Sequence, residues 1–115
     1  MKKIVVSGCG GRLGSAIVQR IAARDDCTVV AGVDSAAEAV DARYAFPVYP
    51  SVDELTEKAD VIIDCSHHTA VISLLAYCTA KHIPAVIATT GHTDEEITAI
   101  RQASARIPVL YSRNM

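Results

Sequence analysis

Residues 7–15 read Ser7-Gly8-Cys9-Gly10-Gly11-Arg12-Leu13-Gly14-Ser15, directly after the apolar run Ile4-Val5-Val6 and before the amphipathic stretch IVQRIAAR of residues 17–24. Four glycines thus fall within seven positions at a strand-to-helix junction. Glycine loses more backbone freedom on folding than any other residue, so a cluster this dense requires more than a simple turn. A strand that ends in glycines and turns at once into a helix aims free backbone N–H groups and the positive end of the helix dipole at one point, which suits a phosphate.

Outward from this junction, short β-branched runs alternate with longer amphipathic ones, the pattern of βαβ units around a parallel sheet covered on both faces. The pattern predicts strands over Lys3–Ser7, Thr28–Val33, Val61–Asp64, Ala85–Ala88 and Val109–Ser112, with a short one at Pro47–Tyr49. Helices are predicted over Leu13–Arg24, Val52–Lys58, Ala70–His82 and Asp94–Ala105, and residues 34–45 as a loop with one helical turn. Ser51-Val52-Asp53-Glu54 and Thr93-Asp94-Glu95-Glu96 both have the form of a capping box at a helix start. The fold class is therefore α/β, a doubly wound parallel sheet in three αβα layers.

Asp34 closes the second predicted strand twenty residues after Gly14. In a Rossmann domain a carboxylate there accepts hydrogen bonds from the adenosine ribose hydroxyls, and with strand, glycine loop, helix, strand and acid in order the ligand is a dinucleotide. The spacing of Gly8, Gly11 and Gly14 is G-x-x-G-x-x-G, one residue off the usual G-x-G-x-x-G. Gly8 serves the tight turn, Gly11 the approach of the pyrophosphate, Gly14 the packing of helix on strand, and Gly10 gives space within the loop. Asp34 would repel a 2′-phosphate, and no basic residue follows it until Arg43, which favours NADH over NADPH; Arg12 is the nearby cation within reach of a 2′-phosphate.

With 115 residues the chain is large enough for one domain, and a net charge of −2 gives no footprint for nucleic acid. No apolar run approaches the length of a membrane span, and the expected compartment is the cytoplasm. Cys9, Cys27, Cys65 and Cys78 form no CxxC pair and read as reduced, packed thiols. Cys9 lies where a helix terminus stabilises a thiolate, but space filling is the simpler reading.

Ligands of open α/β sheets lie across the carboxyl edges of the strands. Three further edges end in Cys65-Ser66-His67-His68, Thr89-Thr90-Gly91 and Arg113-Asn114-Met115. Thr89-Thr90-Gly91 offers hydroxyls and amides where a nicotinamide would lie. His67 and His68, as neighbours on an extended segment, are expected to point opposite ways, which makes a poor chelate; no metal site is assigned.

These positions together resemble the N-terminal domain of the 4-hydroxy-tetrahydrodipicolinate reductase (dihydrodipicolinate reductase) family of bacterial lysine and diaminopimelate synthesis. The resemblance runs through GCGGRLG, DVIIDCS, VIATTGHTDEE and VLYSRNM, over nearly the whole chain. Leu13, Cys65, His68, Ala88 and Ser112 depart from the residues usual at those positions of the family, which are Met, Phe, Pro, Gly and Ala.

The resemblance implies that Gly8, Cys9, Gly10, Gly11, Arg12 and Leu13 hold the pyrophosphate and Asp34 the ribose. Ala88, Thr89 and Thr90 would face the nicotinamide end, and Ser112, Arg113, Asn114 and Met115 would complete its pocket. It implies an NAD(P)H-dependent reductase that is a homotetramer at full length and binds its small-molecule substrate mainly through a second domain. That domain carries the catalytic residues, so this chain is expected to be an inactive, monomeric cofactor-binding fragment. The alternatives are the nucleotide domain of another amino-acid pathway dehydrogenase, or a non-catalytic NAD- or CoA-binding module.

Overall fold

The structure, a computed structural model, describes residues 1–111. Six parallel strands form one sheet: β1 (Lys2–Ser7), β2 (Cys27–Val33), β3 (Val48–Tyr49), β4 (Val61–Asp64), β5 (Ala85–Ile87) and β6 (Val109–Tyr111). They stand in the order β3-β2-β1-β4-β5-β6, so the chain reverses direction across the sheet between β1 and β4. The helices are α1 (Arg12–Ala22), α2 (Ala37–Asp41), α3 (Val71–Lys81) and α4 (Asp94–Ser104). This is the Rossmann-like doubly wound fold expected from the alternation of runs, with most boundaries within one or two residues.

Alternation along β1 separates two cores. Val5 faces one side with Ile62, Val71, Leu74, Cys78, Ile87 and Ile100, beneath α3 and α4. Ile4 and Val6 face the other with Cys9, Val18, Ile21 and Val40, beneath α1 and α2. The β1–β2 register shifts between Ile4 and Val5, an irregularity that periodicity does not announce. On β6, Val109 and Tyr111 pack against the α3 and α4 core, and Leu110, alternating to the other face, is 65% exposed. No described helix is long and apolar enough to cross a membrane.

Two expectations are corrected. The helix predicted over Val52–Lys58 is a single 3-10 turn, Val52–Glu54, after which Leu55 is extended at φ −63°, ψ 131°. Ser51 caps it through the Asp53 amide at 3.2 Å, but the seven predicted residues are fewer than helix nucleation favours. Tyr49 Oη instead donates to Glu57 Oε2 at 3.0 Å and holds the segment back against β3. The second correction concerns His67 and His68. β4 ends at Asp64 and a 3-10 turn starts at His68, so the two rings lie together with centroids 4.5 Å apart rather than on opposite sides.

The box at Thr93 is complete. Its hydroxyl accepts the Glu96 amide at 3.2 Å, and Glu96 Oε1 accepts the Thr93 amide at 2.8 Å.

Candidate functional site

The carboxyl ends of β1, β2 and β4 converge on a cleft of about 580 Å³. Its floor holds Ser7, Gly8 and Gly11 from the first junction, Val33 and Asp34 from β2, and Cys65 and Ser66 from β4. The cleft therefore stands where the strand order reverses, the usual place for a ligand in an open α/β sheet.

Packing explains three of the four loop glycines. Gly8 has φ +80°, and a Cβ there would come within 2.6 Å of the Cys65 backbone, because the ends of β1 and β4 are pressed together. Gly8 also donates to the Val33 carbonyl at 2.6 Å, and Cys65 to the Ser7 carbonyl at 2.8 Å. A Cβ on Gly14 would run into the Gly8 carbonyl oxygen, so α1 sits directly on the loop. One on Gly10 would meet Val40 Cγ2 at 2.5 Å and Asp34 Oδ2 at 2.7 Å.

Gly11 is different. A Cβ there would meet only the Gly8 carbonyl oxygen, at an ordinary 3.6 Å. It is the N-cap of α1 at φ −83°, ψ 178°, a conformation open to any residue, and no side chain caps that helix. Helix geometry leaves the first-turn N–H groups of α1 without intrahelical acceptors.

Asp34 ties the second strand to this loop. Its Oδ2 accepts the Gly10 amide at 2.9 Å and its Oδ1 the Ala36 amide at 2.9 Å. The side chain is half-buried and lines the cleft, with lone pairs left on both oxygens. On its other side Asp34 borders a shallower groove of about 470 Å³, shared with Gly10, Gly11 and Arg43.

The remaining predicted site residues are placed differently. Cys9 is fully buried beneath α1, and burial pushes its thiol up to about 11, so it is a packed thiol and not a thiolate. Arg12 and Leu13 are exposed and line neither cavity. Ala88 and Thr89 are buried at the end of β5, where the Ala88 amide donates to the Asp64 carbonyl at 2.9 Å. Thr89 Oγ1 lies 3.0 Å from His92 Nε2, whose Nδ1 lies 3.2 Å from Tyr111 Oη. Thr90 is exposed. Ser112, Arg113, Asn114 and Met115 lie outside the described residues.

Several walls of the cleft were not assigned from sequence: Ser51, Val52 and Asp53 after β3, and Thr69, Ala70 and Ser73 at the start of α3. The signal for the first three was the carboxyl end of the short third strand, which lies beside β2, and for the last three the carboxyl end of β4. His67 lines the cleft, and the His68 ring beside it pairs its Nδ1 with Glu96 Oε1 at 2.8 Å. The Thr93 amide, and secondarily His68, hold the Glu96 carboxyl below its ordinary range. Asp64 is fully buried at the end of β4. Its Oδ1 accepts from the Ser66 amide at 3.0 Å and hydroxyl at 2.5 Å, and its Oδ2 has no partner among the described residues. Burial pushes its carboxyl above the ordinary range. Among the described residues, no group of three or more His, Cys, Asp or Glu side chains is placed to hold a metal ion.

Comparison with known proteins agrees with this architecture. The protein is 38% identical over 115 residues to the 4-hydroxy-tetrahydrodipicolinate reductase of Caldanaerobacter subterraneus subsp. tengcongensis, spanning all of this chain and 44% of that one. The corresponding protein of Clostridium tetani is 35% identical over the same spans. The chain thus covers less than half the length of these relatives.

Among solved structures, the dipicolinate-bound dihydrodipicolinate reductase of Paenisporosarcina sp. TG-14 superposes with a TM-score of 0.82 at 24% identity. The match covers 99% of this chain and 48% of that one. The WlbA dehydrogenase of Bordetella pertussis, solved with NADH and UDP-GlcNAcA, gives 0.79 at 16% identity over 96% of this chain and 36% of that one. Both likenesses are of fold. The model of the family described as dihydrodipicolinate reductase, N-terminus, matches residues 2–115, and the chain belongs to that family.

Proposed function

We propose that this chain is the nicotinamide-nucleotide-binding part of a dihydrodipicolinate reductase, which reduces 4-hydroxy-tetrahydrodipicolinate to tetrahydrodipicolinate in lysine and diaminopimelate synthesis in the cytoplasm. The observation that carries the reading is Gly11. Its three neighbours in the loop are glycine for reasons of packing, but the protein interior gives none at Gly11, which stands at an uncapped helix start on the wall of the cleft at the junction. A glycine with no packing reason on a cavity wall fits the close approach of a phosphate.

NADH or NADPH, when bound, supplies the hydride. The residues of this chain bind and orient: the amides at the start of α1 take the pyrophosphate and Asp34 the adenosine ribose. Ala88, Thr89 and Thr90 face the nicotinamide end. The half-buried hydrogen bond between Thr89 and His92 keeps that edge of β5 in place.

The substrate carboxylates are held by the rest of the longer protein, so this chain alone binds cofactor, is monomeric and turns over no substrate; the whole protein is a homotetramer. Isothermal titration of the chain at low salt tests the reading. Saturable one-to-one binding of NADH or NADPH, without reductase activity, is expected. Absence of binding by a folded chain would remove it.

A further inference from the structure

The chain just past β5 is tied down by a side chain and not by its backbone. The Ala88 amide makes the last backbone hydrogen bond there, to the Asp64 carbonyl; among the described residues the backbone of Thr89, Thr90 and Gly91 makes none. The tie is the Thr89 side chain, 7% exposed, whose Oγ1 lies 3.0 Å from His92 Nε2. His92 is fastened in turn to the next strand: its Nδ1 lies 3.2 Å from Tyr111 Oη, and the two rings meet edge-on with centroids 5.3 Å apart. Tyr111 stands opposite Ile87 in the register of β5 and β6, so the imidazole spans from the last pair of the ladder to a residue beyond the end of β5. On its other side the His68 ring comes edge-on at 6.3 Å, itself paired with Glu96.

A neutral imidazole has one donor and one acceptor, and a hydroxyl plays either part, so the chain Thr89–His92–Tyr111 is satisfied in both tautomers. It holds the Thr89 side chain from behind and leaves the amides and carbonyls of Thr89 and Thr90 without partners among the described residues. Unpaired backbone donors and acceptors at the carboxyl edge of a strand suit a planar amide, which offers a carbonyl and an NH₂ of its own. The carboxamide of a nicotinamide is such a group. Its hydrogen bonds depend on where this backbone stands, and His92 sets that place without touching the ligand.

We infer that His92 is a positioning residue for the nicotinamide half of the dinucleotide: acting through Thr89, it holds the backbone of Thr89 and Thr90 where the carboxamide meets it, and through Tyr111 it fixes that place to β6. This rests on the dinucleotide reading above.

Calorimetric titration of the full 115-residue chain with NADH and with ADP-ribose, which keeps the adenosine and pyrophosphate but lacks the nicotinamide, tests it. The wild type should bind NADH at least fivefold more tightly. His92→Phe keeps a ring beside Tyr111 and loses both hydrogen bonds; it is expected to weaken NADH at least fivefold and ADP-ribose less than twofold. His92→Gln, which retains a donor and an acceptor, should restore part of the NADH affinity. Thr89→Val should act through the same bond, so that Thr89→Val with His92→Phe loses no more than the larger single loss. Thermal unfolding verifies the fold of each variant, and His92 is half-buried at the surface, where Phe and Gln are both accommodated. Equal losses for NADH and ADP-ribose in His92→Phe, no loss at all, or losses that add in the double variant overturn the inference. Wild-type binding of ADP-ribose as tight as that of NADH overturns it while leaving the glycine-loop reading intact; binding of neither removes both.

Discussion

The Asp34 carboxylate accepts the Gly10 amide at 2.9 Å across 24 residues of chain, so the acid that closes β2 also fixes the loop that leaves β1. The residue proposed to meet a ribose is at the same time a strut of the glycine loop. Asp34→Ala is expected to lower stability by about 1–2 kcal/mol, since two amides lose a charged acceptor at a half-buried site that water can partly refill. It should also weaken NADH binding at least tenfold. Urea unfolding and calorimetric titration of the same preparation separate the two effects.

The loop glycines divide into two kinds, and substitution should separate them. Gly14→Ala forces a methyl into the Gly8 carbonyl, and a loss of about 2 kcal/mol or more is expected, with poor expression. Gly11→Ala meets nothing closer than 3.6 Å, so stability should stay within about 0.5 kcal/mol of the wild type while NADH affinity falls at least tenfold. Thermal unfolding beside nucleotide titration reads both.

The fold was legible because β-branched runs such as Ile4-Val5-Val6 and Val61-Ile62-Ile63 fit little besides buried parallel strands, and because glycines mark where the first one ends. Ser51-Val52-Asp53-Glu54 misled because capping residues announce a start and not a length. The sequence shows the box but neither the extended Leu55 that ends the turn nor the Tyr49–Glu57 bond beyond it. His67 and His68 were misjudged because the extended segment was carried past Asp64. At the candidate site, Gly8, Gly11 and Asp34, singled out by their spacing, line one cleft. Ser51–Asp53 and Thr69–Ser73 were not, because they reach the cleft only through the order β3-β2-β1-β4. Arg43 reaches the loop from 33 residues away, a distance that local pattern does not bridge.

Asp64 and Glu96 should leave opposite marks on the pH dependence of stability. Burial raises the Asp64 carboxyl, so the folded protein holds that proton more tightly than the unfolded chain does. Its contribution therefore declines as pH rises from about 4, the unfolded value, through its higher folded one. Glu96 is lowered, so its contribution is present above about 4.3 and lost as pH falls. Urea unfolding from pH 4 to 7 should show the stability of wild type relative to Asp64→Asn falling with rising pH. A difference that grows with pH would contradict the assignment.

α3 ends on His82 in the left-handed conformation, φ +56°, ψ 45°, where the Ile83 amide returns to the Cys78 carbonyl at 2.9 Å. Glycine occupies this helix-ending position most readily, and His82 is exposed. His82→Gly is expected to stabilise the protein by about 0.5–1 kcal/mol and to raise the melting temperature by several degrees, measurable by calorimetry.

The β1–α1 junction, together with Asp34, is the proposed seat of a nicotinamide dinucleotide. Amide chemical-shift mapping of the isotope-labelled chain titrated with NADH tests it most directly. Saturable shifts concentrated at Gly8–Gly14 and Asp34–Ala36 are expected, with smaller ones at Ser66–Thr69. Shifts confined to other surfaces, such as the α3–α4 groove, or no shifts in a chain whose spectrum shows it folded, would contradict it.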